Sequence, residues 1–155
     1  MNTLSVESLN LDSQLCFKLY AASRAVIRAY KPMLDQLGLT YPQYLAMLVL
    51  WEQDGLTVKD IGRRLCLDSG TLTPVLKRLE AIGYVQRTRD PSDERQVRVA
   101  LTPRGRELRS GAQAGRRALA CAVGRSEEQI QALKRELDEL RAALRGDDPP
   151  EETRQ

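Results

Sequence analysis

Histidine is absent from all 155 residues. Its absence excludes a Ser-His-Asp triad, a Cys-His pair, an HExxH zinc site and a His-ligated haem. Cysteine is scarce. Cys16, Cys66 and Cys121 stand too far apart for a CxxC metal knuckle or thioredoxin motif, and an odd count makes a poor disulfide scaffold. Neither a metal nor a cofactor is expected. Long apolar runs are missing too: the longest, Leu45 to Trp51, is far short of a membrane span. No basic residue precedes Lys18, so no signal peptide is expected. The expected setting is the cytoplasm, with no membrane partner and with thiols reduced until chemistry oxidises them.

What is present suits one compact domain. The hydrophobic fraction of 42% is enough for a core and too high for general disorder. The net charge of +3 says little, but its distribution says more. Residues 59–106 hold eleven Lys/Arg against six Asp/Glu, whereas the last nine residues hold four acids against Arg154. A basic middle between acidic ends suits a polyanionic partner for the middle.

The periodicities divide the chain. Residues 1–10 read as a flexible tail and 146–155 as a disordered acidic one. Asp12 or Ser13 is the expected cap of a first helix with Leu15, Leu19, Ala22, Val26 and Ala29 on its apolar face. Pro32 is expected to kink or end it, and Gly38 closes it. Thr40 and Gln43 form a capping box, with Pro42 in the first turn, for a second helix apolar on most of its surface. Asp54-Gly55 stops that helix. Leu56-Thr57 then opens a short helix, Val58 to Leu65. A turn at Cys66-Leu67-Asp68 leads to another, from Ser69 to about Ala81, with Leu72, Val75, Leu76, Leu79 and Ile82 inward. Two short helices about a tight turn form a helix-turn-helix.

Tyr84 to Arg89 and Gln96 to Leu101 read as strands about the turn cluster Asp90-Pro91-Ser92-Asp93. Thr102-Pro103 restarts a helix that runs to about Val123, and Ser126 to Gln129 is the capping box of a last one. That last helix carries a seam of Ile130, Leu133, Leu137, Leu140 and Leu144 suited to a partner helix. The expected fold is mainly α, a winged helix-turn-helix with a two-stranded β-wing. In the single domain 11–145, helices at 11–38 and 103–145 form a dimerisation part around a DNA-binding lobe at 40–102.

Ser69, Gly70, Thr71, Thr73 and Pro74 open the expected recognition helix. Small and hydroxyl side chains there permit close approach to bases and phosphates, and the helix N–H groups attract phosphate. Lys77 and Arg78 follow one to two turns on and can clamp the backbone. At the wing, Arg95 is the expected minor-groove finger, Asp93 the carboxylate that holds it, and Arg87 and Arg89 phosphate-facing. Double-stranded DNA is the expected partner, and reading two grooves one helical turn apart requires a homodimer.

Cys16 falls near the start of the first helix, where the N–H groups and the macrodipole favour a thiolate. Tyr20 is one turn on, on the same face. Tyr30 points the same way but lies about 21 Å along a straight helix, so it cannot touch Cys16 of its own chain. An antiparallel approach by another copy's first helix would bring Tyr30 and Tyr41 to the thiol, where phenol hydroxyls favour thiolate without histidine. By residue type alone, Cys16 and Cys121 also suit small buried hydrophobes, and Cys66 reads as structural.

The chain resembles the MarR family of winged-helix regulators across nearly all of residues 10–145. The wing carries the broad likeness in Asp90-Pro91-Ser92-Asp93-Glu94-Arg95 and Val97 to Thr102. The stretches Leu15 to Tyr20, Tyr30-Lys31-Pro32, Leu39 to Tyr44 and Leu67 to Pro74 resemble, more narrowly, the organic-hydroperoxide-sensing branch of that family, in its two-cysteine class. That resemblance implies a peroxide-sensing Cys16 hydrogen-bonded by Tyr30 and Tyr41 of the other subunit. It implies Cys121 as the resolving thiol, forming an intersubunit disulfide. It implies an organic hydroperoxide as oxidant and a repressed gene for a thiol peroxidase. Two alternatives stay open at this point: a regulator of the same fold released by a phenolic or carboxylate ligand, and a thiol peroxidase using Cys16.

Overall fold

The computed structural model describes residues 9–145, apart from the side chains at 118 and 122. All but residues 9 and 10 of the expected tails lie outside the described residues. Six helices and three strands follow in the order α1 (Leu15–Leu37), α2 (Tyr41–Glu52), β1 (Leu56–Thr57), α3 (Val58–Leu65), α4 (Ser69–Ile82), β2 (Val85–Arg89), β3 (Val97–Leu101), α5 (Pro103–Val123) and α6 (Glu127–Arg145). The chain forms two compact units, one to Leu119 and one from Ala120.

The helix ends follow local chemistry. At Gly38 and Gly83 the backbone turns left-handed and closes α1 and α4. In the Thr40 capping box the Thr40 N–H donates to Gln43 Oε1 at 2.9 Å. One local expectation is corrected and another narrowed. Asp12 and Ser13 do not cap α1: they lie in a short 3-10 turn, Leu11–Ser13, and α1 starts after Gln14 with no side-chain cap. Pro32 does not end α1, which continues to Leu37. Met33, Leu34 and Leu37 are buried beyond the proline, and their burial outweighs the lost backbone hydrogen bond.

The winged helix is as expected, with one addition. Leu56-Thr57 is a strand rather than a helix opening, and the sheet has three antiparallel strands in the order β1-β3-β2. Val85 pairs with Leu101 and Arg89 with Val97 across the wing. Thr57 ends β1 and caps α3 at once, its Oγ1 accepting from Asp60 N at 3.1 Å. The helix-turn-helix is tight because residue 62 is glycine: a Cβ there would stand 2.7 Å from the Leu67 carbonyl oxygen, while Leu67 N donates to Gly62 O at 2.9 Å. Cys66 makes the turn with φ of +55°.

The core of the first unit joins Leu34 and Leu37 of α1, Tyr44, Met47 and Leu50 of α2, Ile61 of α3, Leu72, Leu76 and Leu79 of α4, and Val85 and Val99 of the sheet. It leaves the first four turns of α1 uncovered. Leu15, Leu19, Tyr20 and Val26 are exposed there. In the second unit, Leu133, Leu137 and Leu144 of α6 are exposed as well.

Candidate DNA-reading surface and thiol site

The recognition helix α4 begins under a carboxylate. Asp68 is its N-cap and accepts from Thr71 N at 2.8 Å and from Thr71 Oγ1 at 3.0 Å. These bonds, the backbone one first, hold the Asp68 carboxyl below its ordinary range. The helix amides expected to attract phosphate are thus partly met by the chain's own anion. Thr73 Oγ1 donates to Ser69 O at 2.6 Å. Ser69, Gly70, Thr71 and Pro74 are exposed and Thr73 half-buried. Lys77 and Arg78 are exposed and carry no ion pair with any described residue.

Arg87 stands apart from the other basic positions. Its N and Nε donate to the two oxygens of Glu80, each at 3.0 Å, and its side chain is largely covered. That pair ties β2 to α4, and it lowers the Glu80 carboxyl, the Arg87 amide being the largest cause. Arg87 serves the wing's attachment, and phosphate would have to compete with Glu80 for it. Glu80 is a residue the sequence reading missed. At the wing tip Arg95 is 90% exposed, its Nε donating to Asp93 Oδ1 at 3.1 Å. The side-chain bond to Arg95, then the backbone one, depress the Asp93 carboxyl. Arg89 reaches the Glu94 carbonyl at 3.1 Å. A second carboxylate shapes the loop: Asp90 accepts from Ser92 N at 2.8 Å and from Arg98 Nε at 2.6 Å.

Cys16 is the second residue of α1 and is exposed, so the buried-hydrophobe reading does not hold for the single chain. Cys66 and Cys121 are exposed as well. Tyr20 is exposed and its hydroxyl accepts from Arg24 at 2.8 Å. Tyr30 and Tyr41 are brought together, their rings 5.6 Å apart. Tyr44, which the sequence does not single out from the apolar surface of α2, stands 5.6 Å from Tyr30 and 6.3 Å from Tyr41, and Trp51 closes the row at 6.5 Å from Tyr44. Burial, then proximity to Tyr30, raises the Tyr41 and Tyr44 phenols above their ordinary value, which keeps both as hydrogen donors. Because α1 is one continuous helix, Tyr30 lies fourteen residues, about 21 Å, along its axis from Cys16. A single chain does not assemble the thiol with this phenol pair.

Comparison with known proteins decides the family. The MarR family signature matches residues 39–97. The organic hydroperoxide resistance transcriptional regulator of Bacillus subtilis is 54% identical over 106 residues, covering 68% of this chain and 72% of that one. The chain belongs to the MarR family. It is a DNA-binding transcriptional regulator and not an enzyme, so the peroxidase alternative falls. The regulator TtmR of Methylorubrum extorquens is 64% identical over 100 residues, 64% of this chain, but the match spans only about half, 51%, of that longer protein. AbfR of Staphylococcus epidermidis has been solved in several states. Reduced and bound to DNA, it is 39% identical with a TM-score of 0.72, covering 88% of this chain and 96% of that one. An overoxidized form was also solved on DNA, and a disulfide-formed state has a TM-score of 0.59. Among the described residues, no helix of this chain is long and apolar enough to cross a membrane.

Proposed function

We propose that this MarR-family chain is a homodimeric repressor whose grip on operator DNA is set by the oxidation state of Cys16. One observation carries the reading: an exposed cysteine at the start of α1, and a phenol pair of Tyr30 on α1 and Tyr41 on α2, with Tyr30 fixed about 21 Å farther along α1. A second copy laid antiparallel along α1 brings its tyrosines to the thiol. The same approach covers the exposed Leu15, Leu19 and Val26.

The chemistry then follows. The Cys16 thiolate attacks one oxygen of an organic hydroperoxide. The O–O bond breaks, the alkoxide leaves and takes a proton as an alcohol, and the sulfur becomes sulfenic acid. The phenols donate hydrogen bonds that favour the thiolate before attack. Cys121 of the partner subunit attacks the sulfenic sulfur, a disulfide forms and water leaves. The link between subunits, rather than oxidation as such, is the releasing event. AbfR supports this order, since its reduced and overoxidized forms are both found on DNA. In the reduced dimer the α4 helices read successive major grooves through Ser69, Gly70, Thr71, Thr73 and Pro74, with Lys77 and Arg78 on the backbone and Arg95 in the minor groove. Release derepresses a gene that detoxifies peroxide, and a cellular thiol restores binding.

An operator gel shift tests this. Cys16→Ser retains DNA binding and loses release by an organic hydroperoxide; release that persists in this variant removes the sensor assignment. A second reading draws on an open cavity of about 540 Å³ lined by Leu34, Asp35, Thr40, Gln43, Arg78 and Ile82. Arg78 there suits a carboxylate, and release by a small aromatic acid under full reduction would favour that reading.

A further inference from the structure

The end of α2 holds the wing by its root. The register of β1 on β3 pairs Thr57 with Arg98 and Leu56 with Val99, and β1 then ends. Carried back two residues, the same register sets position 54 opposite Leu101. Strand backbone is replaced there by the Asp54 carboxylate, whose Oδ1 accepts from Leu101 N at 2.8 Å and from Gly55 N at 2.9 Å. Its Oδ2 accepts from Arg106 of α5 at 2.7 Å. Next to it, Gly55 O accepts from Arg98 at 2.9 Å, and the same guanidinium reaches Asp90 at the start of the wing loop. One turn earlier, Trp51 Nε1 donates to Gly105 O at 2.9 Å. Residues 51–55 thereby grip both ends of β3 and the first turn of α5.

We propose that Asp54 is a positioning residue for DNA binding: it fixes the angle at which the wing leaves α5, and through Arg98 and Asp90 the reach of Arg95. The partly exposed ion pair with Arg106 contributes little by itself. The bond to Leu101 N is the one that matters, because Leu101 is buried and its N–H loses its partner when the carboxylate goes. The inference rests on the wing-tip contact assigned to Arg95 above.

A double-mutant cycle on the full chain separates the two. Operator affinity and its salt dependence are measured for Asp54→Ala, Arg95→Ala and the double variant. Asp54→Ala is expected to flatten the salt dependence as Arg95→Ala does, and the double variant to bind no more weakly than the weaker single one, since both act through one wing. A general loss of stability would instead multiply with the loss at Arg95, and such multiplication overturns the proposal. So does wild-type affinity in Asp54→Ala beside a weakened Arg95→Ala, which leaves the wing contact standing. An inert Arg95→Ala refutes the wing contact and with it the route assigned to Asp54. Asp54→Asn guards against misfolding. It keeps an oxygen for the two amides and gives up only the charge on Arg106, so it is expected to bind at least as well as Asp54→Ala. Emission from Trp51, the only tryptophan, reports that each variant is folded.

Discussion

Replacing Arg95 by alanine gives a sharp test of the wing. The Arg95 side chain is 90% exposed and bonded only through Nε and one terminal nitrogen to Asp93, at 3.1 and 3.4 Å. It supports no core residue, so the thermal midpoint should not move. Its charge matters on DNA. Each neutralised phosphate releases counterions and steepens the fall of log K against log salt by about 0.9. A dimer carries two wings, so the variant's line should be shallower by about 1.8. Over the fourfold rise from 50 to 200 mM, a slope difference of about 1.8 is a factor of about twelve in affinity. The variant's deficit should therefore be about twelvefold larger at 50 mM than at 200 mM. Fluorescence anisotropy of a labelled operator duplex across that range measures it. Parallel lines for the two proteins, whatever their vertical offset, refute the idea that Arg95 meets phosphate charge.

Three further outcomes are expected. Cys121→Ser should abolish the hydroperoxide-induced crosslink on a non-reducing gel while sulfenic acid still forms at Cys16; an unchanged crosslink moves the resolving role elsewhere. Gly62→Ala sets a methyl 2.7 Å from the Leu67 carbonyl. Overpacking costs about 1–3 kcal/mol and the gain in helix propensity offsets about 1, so a net loss of up to about 2 kcal/mol should appear in denaturant unfolding, where a gain in stability would contradict the close approach. The Asp90 carboxyl is held below its ordinary value of 3.8, by Ser92 N–H first and by Arg98 as well. A depressed acid contributes stability that is complete above the ordinary value and is lost as pH falls through the depressed one. The thermal midpoint of the native chain should thus exceed that of Asp90→Asn near neutrality and converge on it in acid, and a gap that widens on acidification reverses the sign of the argument.

What could be read along the chain and what could not divides by the range of the interaction. Gly38 and Gly83 end helices, and Thr40 and Gln43 start one, through bonds within a few residues, so those boundaries are written locally. The separation of Cys16 from Tyr30 was legible too, because the rise of a helix is fixed and only its continuity past Pro32 needed the structure. The strand at Leu56-Thr57 was not legible: two residues have no periodicity, and they are a strand only because Val99 and Arg98 lie opposite. Asp54 was hidden for the same reason. Beside Gly55 it spells a helix stop, and its bonds to Leu101 and Arg106 span 47 and 52 residues. Glu80 and Arg87 are only seven residues apart, yet they sit on a helix and a strand, where no spacing rule relates them. Tyr44 was concealed by its own helix, since α2 is apolar nearly all round and no face distinguishes a phenol of the Tyr30 cluster from core. The groups proposed to make the chemistry, a thiol and a guanidinium, announce themselves by type. Those that aim them are common acids and aromatics whose role exists only once the sheet register and the helix packing are set.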